Sequence, residues 1–215
     1  MMNNEKRDFD KEAASWDENP ARVRLANDVA QAISGRIPLA PDMHVLEFGC
    51  GTGLLTFRLQ PRVRSITGID SSQGMLDIFN RKIAKLNLTN VRSQLLDLER
   101  GDTLTGKYHL VVSSMTLHHV RETALLFDQF LHILAPGGCL CIADLDLDGG
   151  RFHNDNTGVF HPGFDRAMLR RTFTDAGLEN IQDMTAAEVL KPDSEGEMMR
   201  FTVFLMTGRK RSDKA

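Results

Sequence analysis

Cysteines, long apolar runs and clustered charge of one sign are all scarce in this chain, and each shortage closes off a class of protein. Its three cysteines, Cys50, Cys139 and Cys141, are too few and oddly numbered for a secreted disulfide framework, which points to a reducing compartment. No stretch approaches the roughly 18 apolar residues that span a bilayer. The opening Met1-Met2-Asn3-Asn4-Glu5-Lys6-Arg7-Asp8 carries no apolar targeting segment, so a cytoplasmic location without a membrane span is expected. The net charge is −3 with no sustained basic run, and Arg209-Lys210-Arg211 reads as a solvated end. A nucleic-acid partner is therefore not expected, because neutralising phosphates takes clustered Lys and Arg. What is present is 215 residues, 41% apolar, with 17 glycines. That suits a single domain over residues 1–215 that buries roughly 70% of its unfolded surface without disulfides or a structural metal.

Asn19-Pro20 reads as a helix cap followed by proline at the first helical position, with Val23, Ala26, Val29, Ala30 and Ile33 at helical spacing until Gly35. Met43 to Phe48 is a short apolar strand leading into Gly49-Cys50-Gly51-Thr52-Gly53 and a helical Leu54 to Leu59. Ser65 to Ile69, Val91 to Leu96, Tyr108 to Ser113 and Cys139 to Ala143 read as further strands. Between them lie helices over Ser72 to Leu88, with Met75, Phe79, Ile83 and Leu86 on one face, and over Arg121 to Leu134, stopped by Pro136-Gly137-Gly138. Strands alternating with helices imply a doubly wound α/β fold with a parallel sheet covered on both faces. After a polar loop from Asp146 to Gly163 and a helix from Asp165 to Ala176, Ile181 to Val189 and Arg200 to Thr207 are joined too tightly for a crossover, so the last strand should be antiparallel.

In such a sheet ligands bind beyond the carboxyl ends of the strands, where Gly49 to Gly53, Asp70, Asp97 and Ser113 to His119 should converge. Gly49 and Gly51 would let the backbone pass close under a ligand. The third glycine falls one place early for a dinucleotide fingerprint, Leu54 standing where it should be. Asp70 ends the second strand, placed to accept hydrogen bonds from both ribose hydroxyls. A glycine loop with an acidic strand end describes a nucleoside pocket.

Val45-Leu46-Glu47-Phe48-Gly49-Cys50-Gly51-Thr52-Gly53 resembles motif I of the class I S-adenosylmethionine (AdoMet)-dependent methyltransferases, Gly68-Ile69-Asp70-Ser71-Ser72 their motif II, and Leu96-Asp97-Leu98 their motif III. The order and spacing agree, and the resemblance continues through Leu117-His118-His119-Val120 and Leu134-Ala135-Pro136-Gly137-Gly138. Phe9 to Asp17 is similar to the lid of small-molecule members such as those of ubiquinone and menaquinone biosynthesis. The resemblance implies a mostly parallel seven-stranded sheet with an antiparallel last strand, and a helical lid over residues 1–35. It implies backbone contacts to AdoMet from Gly49, Cys50 and Gly51, Glu47 near the amino group, and Asp70 on the ribose. Ser71 or Met75 would lie against adenine, Asp97 and the Leu98 backbone would read its edge, and Ser113 would line the methionyl side. AdoMet has no pyrophosphate, so the missing third glycine is accounted for.

His118 and His119 follow the fourth strand, where an imidazole could contact the methyl acceptor or take its proton. The loop 146–163 reads as an acceptor-side lid or a solvated insertion, with His153, Asp155, His161 and Phe164 near the acceptor. Trp16 is either a core anchor or part of a lid, and Arg22 and Arg24 read as solvent-facing. Cys50 reads as a small residue in a tight turn, not a nucleophile. Asp144-Leu145-Asp146-Leu147-Asp148-Gly149 imitates a calcium loop, yet Asp144 ends a strand and the twelfth residue, Asp155, is not Glu. His153, Asp155 and His161 have no recognised ligand spacing, so no metal is expected. Ser113-Ser114-Met115-Thr116 departs from the Asn/Asp-Pro-Pro-Tyr/Phe with which amide and adenine nitrogen methyltransferases of this family begin that region. The expected partner is therefore a small-molecule methyl acceptor, through oxygen, nitrogen, carbon or sulfur, with S-adenosylhomocysteine as product and no particular oligomeric state implied. A noncatalytic AdoMet-binding sensor or scaffold is the alternative, and a nicotinamide-dependent dehydrogenase is disfavoured by the glycine spacing.

Overall fold

The computed structural model describes residues 7–193 and 196–212. In chain order it runs α1 (Phe9–Glu12), a 3-10 turn (Ala13–Glu18), α2 (Pro20–Arg36), β1 (His44–Phe48), α3 (Thr56–Leu59), β2 (Ser65–Asp70), α4 (Gln73–Lys85), β3 (Val91–Leu95), β4 (Tyr108–Ser114), α5 (Thr123–Ile133), β5 (Leu134–Leu145), α6 (Arg166–Asp175), β6 (Leu178–Pro192) and β7 (Met198–Lys210). The strands form one seven-stranded sheet in the order β3-β2-β1-β4-β5-β7-β6. β1 to β5 are parallel, and β7 pairs antiparallel with both β5 and β6. The chain leaves β1 in one direction across the sheet and returns to β4 on its other side. At that switch, beyond the carboxyl ends of β1 and β4, a crevice opens.

Period-two alternation sends neighbouring strand residues to opposite faces. Val45 and Ile66 pack with Val29, Ile33 and Leu59 under α2 and α3. Leu46, Leu140 and Phe204 pack with Phe127, Phe130 and Phe173 under α5 and α6. The helix starts follow local chemistry. The Asn19 side chain accepts the Ala21 N–H at 2.9 Å, the Ser72 hydroxyl the Met75 N–H at 3.1 Å, and Asp165 the N–H groups of Ala167 and Met168.

Several boundaries differ from the sequence expectation, three of them at helix ends. α2 runs through Gly35 to Arg36. α4 stops at Lys85, which leaves Ile83 half-buried and Leu86 55% exposed, so the apolar stripe ends a turn early. Pro136-Gly137-Gly138 does not stop α5; β5 begins at Leu134, and the tripeptide forms an irregularity in which pairing jumps from Tyr108–Leu134 to Leu110–Cys139. No helix among the described residues is long and apolar enough to cross a membrane.

Candidate functional site

The crevice is a cavity of about 1400 Å3. One end is built almost wholly from the turn after β1. Gly49, Gly51 and Gly53 have φ of 73°, 52° and 87°, left-handed conformations that side chains rarely adopt. Gly49 and Cys50 donate their N–H groups to the Ile69 carbonyl, and Gly51 donates to Asp70 Oδ2 at 2.7 Å. Asp70 Oδ1 accepts from the Ser72 N–H at 2.9 Å. The carboxylate is thus fixed at the end of β2 by backbone donors on either side.

The glycines serve different ends. A Cβ on Gly49 would run into the Thr116 side chain, so that position needs glycine for packing against the turn after β4, and its backbone lines the cavity. A Cβ on Gly51 would meet nothing nearer than Met75 Sδ at 4.0 Å. It would project into the cavity, and this is the position where the missing side chain leaves room for a ligand.

Glu47, Cys50, Ser71 and Met75 also line this end, with Asp97 and Leu98 beyond them. Burial pushes the Glu47 carboxyl up to about 8; the Thr56 hydroxyl, which donates to it, offsets part of that rise and Asp70 adds to it. Burial likewise raises the Cys50 thiol well above its ordinary range, with Asp70 and Glu47 adding to the rise, so it stays protonated and is no nucleophile. Asp97 caps the 3-10 turn Leu98–Arg100 by accepting the Glu99 N–H at 3.1 Å. Ser113 lies outside the cavity lining and is buried, its hydroxyl without a hydrogen-bond partner among the described residues. β4 runs one residue further than expected, and Ser114, Met115 and Thr116 face the cavity instead.

The segment from Arg7 to Glu18 lies along the cavity; the part of the expected lid before it falls outside the described residues. It is pinned at both edges of the glycine-turn end. Asp10 Oδ1 accepts from the Ser72 hydroxyl at 2.5 Å and the Gly74 N–H at 2.8 Å, while Asp17 accepts from the Thr52 hydroxyl at 2.6 Å and pairs with Lys82. Trp16 lines the cavity and is not a core anchor. The Arg22 guanidinium lies 3.6 Å from the Trp16 ring centroid and bonds Glu12 at 3.1 Å, so Arg22 is a half-buried wall residue, whereas Arg24 is exposed.

The opposite end is made of imidazoles. The 3-10 turn Leu117–His119 follows β4 and rests on Asp144, at the end of β5. Asp144 Oδ2 accepts the Leu117 N–H at 2.9 Å, and Oδ1 meets His118 Nδ1 at 2.6 Å. Both side chains are buried, at 0% and 1% exposure. Burial pushes Asp144 up, but the His118 imidazole and the Leu145 N–H outweigh it and leave the carboxyl below its usual range. This carboxylate had been visible only as the start of the rejected calcium pattern. The following Asp146 is taken by Arg166 through two 2.6 Å bonds.

His119 Nδ1 donates to the Gly158 carbonyl at 2.7 Å, and its ring stands edge-on to Phe9 at 5.1 Å. His153, from the loop after β5, brings Nε2 to 3.2 Å from His118 Nε2. Burial brings both His119 and His153 down to about 3, so both are neutral. His161 is not part of the cavity lining: Nε2 donates to the Val120 carbonyl at 2.9 Å and the ring packs on Phe164, while the neighbouring Phe160 reaches the cavity. Asp155 bonds Thr157. His153, Asp155 and His161 therefore do not form a group; the histidines brought together are 118, 119 and 153.

A doubly wound sheet with its last strand turned antiparallel, a glycine turn clasped by an acidic strand end and a chamber beyond it define a methyltransferase-type Rossmann fold. Residues 45–138 match the methyltransferase domain family. An uncharacterized methyltransferase of Schizosaccharomyces pombe is 33% identical over 175 residues, 74% of this chain and 62% of that one. The trans-aconitate 2-methyltransferase of Delftia acidovorans is 36% identical over 134 residues, 59% of this chain and 48% of that one. The chain thus spans from about half to three-fifths of the length of these curated relatives. The structure of phosphoethanolamine N-methyltransferase 2 of Haemonchus contortus in complex with AdoMet superposes with a TM-score of 0.69 at 14% identity, covering 85% of this chain and 52% of that one. These likenesses, in sequence and in fold, support a class I AdoMet-dependent methyltransferase.

Proposed function

We propose that this protein transfers the methyl group of AdoMet to a small-molecule acceptor by in-line displacement, releasing S-adenosylhomocysteine. The observation that carries this reading is Asp70, held by the Gly51 and Ser72 N–H groups at the lip of a cavity into which a Gly51 side chain would project. A carboxylate so placed at a strand end of a doubly wound sheet is where a ribose diol is held. Glu47 is buried beside the same turn, where a ligand ammonium would draw its proton off and hold it ionised. Ser71 and Met75 would bear on adenine, and Asp97 with the Leu98 backbone would read its edge.

Bound AdoMet would supply a sulfonium methyl that is already activated for displacement. The protein's share is then alignment, which can supply much of the rate. His118 and His119 commit Nδ1 to Asp144 and Gly158, so each directs Nε2 toward the acceptor end. With its pKa near 3, His119 is too weak a base to take a proton at neutral pH and serves as a contact surface. A sensor would need only the nucleoside seat. The cavity here, about 1400 Å3, exceeds the roughly 300–1,000 Å3 of an ordinary single-ligand pocket, which favours a second, reacting ligand. The test is a screen of small carboxylates, phenols and amines with S-adenosylhomocysteine release as readout. Turnover of one of them supports transfer; AdoMet binding without turnover of any acceptor, even in a metabolite extract, supports the sensor.

A further inference from the structure

We propose that His118, His119 and His153 form a binding site for a divalent transition-metal ion of the zinc class, with one coordination position open to the acceptor end of the cavity. One ring nitrogen from each of the three lies within 4.8 Å of the others. His118 Nε2 and His153 Nε2 are 3.2 Å apart. Two nitrogens bound at 2.0–2.1 Å to one tetrahedral ion sit about 3.4 Å apart, so closing on a cation needs almost no movement of this pair.

The surroundings prepare the rings as ligands. Metal-binding histidines usually give their other N–H to a carboxylate or a backbone carbonyl, which fixes the tautomer and aims the lone pair. His118 has the buried Asp144 carboxylate on Nδ1 at 2.6 Å, and His119 has the Gly158 carbonyl at 2.7 Å. Arg7 Nη1 stands 3.4 Å from His153 Nδ1, but Glu12 already holds the same guanidinium through bonds of 2.6 and 2.9 Å. His153 Nδ1 can therefore take the proton that metal binding at Nε2 requires without leaving Arg7 unpaired. A proton shared between His118 and His153 would account for their contact but would give His119 no part. Its remaining nitrogen has no hydrogen bond among the described residues.

Three histidines with no fourth ligand among the described residues are a catalytic set, which keeps a position for water or substrate. That the position serves the methyl acceptor rests on the function proposed above; that the ion binds does not.

The experiment is a cobalt(II) titration of chelator-treated full-length protein, because tetrahedral cobalt shows strong visible bands. One equivalent should bind with such bands, and azide, a small anionic probe, should shift them by entering the open position. His153→Ala, on a loop, should weaken cobalt binding at least tenfold, and Asp144→Asn by about 10–100-fold, the usual cost of losing an outer-shell partner. Circular dichroism checks folding, and if Asp144→Asn does not fold, His153→Ala decides alone. Absence of the bands, indifference to azide, or equal cobalt affinity in His153→Ala would overturn the proposal, the last placing the ion elsewhere, as at the stacked His44 and His109. AdoMet calorimetry on the metal-free protein keeps the two readings apart, since the nucleoside end should bind whether or not the histidines hold metal.

Discussion

The two ends of the cavity are built by opposite means. The glycine-turn end is made by backbone, from turns that leave β1, β2 and β3, and its central bond joins Gly51 to Asp70, residues 19 apart. The imidazole end is made by side chains from distant segments: Phe9 on His119, His153 on His118, and Arg7 on His153, 146 residues away. The first can hold a constant ligand under many sequences, while the second changes with every substitution. One fold can thereby keep its cofactor and vary its acceptor.

The contrast sharpens with mutations at each end. Asp144→Ala should have the largest effect, because it strips a buried histidine of its partner and leaves the Leu117 N–H unpaired. About 3–5 kcal/mol of stability should be lost in urea unfolding. A loss under 1 kcal/mol would mean that the imidazole end is not the tightly built one described here. Asp70→Ala should leave stability nearer wild type but weaken AdoMet binding by about 2–4 kcal/mol, from charge-assisted hydrogen bonds of roughly 1.5–3 kcal/mol each. An unchanged dissociation constant would dissolve the distinction between the ends.

Glu47 separates them by pH. Its carboxyl is raised to about 8 in the folded protein, above the ordinary value of 4.5. Its contribution to unliganded stability is complete below pH 4.5 and is lost as the pH climbs through 8. A ligand ammonium prefers the ionised form, so AdoMet affinity should rise by up to about tenfold per pH unit below 8 and then level off. Glu47→Gln should flatten that profile; a wild-type profile already flat would remove Glu47 from the seat. Trp16→Ala should have the smallest effect. Losing the Arg22 contact costs about 0.5–2 kcal/mol, seen as faster hydrogen exchange over residues 9–18 with AdoMet affinity changed by less than Asp70→Ala changes it.

The same contrast explains what the sequence made legible. Strand, glycine turn and acidic strand end are local patterns, and the sheet order with its antiparallel last strand follows from connection lengths. Glu47, Gly51 and Asp70 could be placed without coordinates. Ser113 was off by one because a strand's last residue is set by pairing with its neighbour, here Ser114 with Ala143, and no local pattern records that. Asp144 was readable, since it ends a strand beside β4, but the Asp-x-Asp repeat drew attention along the chain instead of across the sheet. His161 and His153 sit in one polar loop; which of them turns inward depends on bonds to Val120 and His118 that only the folded chain supplies.

The central claim is that the glycine-turn end is an AdoMet seat, not a dinucleotide site. Calorimetric titration of the wild-type protein with AdoMet and, separately, with NAD tests it most directly. One AdoMet should bind per chain and NAD should give no saturable heat. NAD binding with no response to AdoMet would contradict the account.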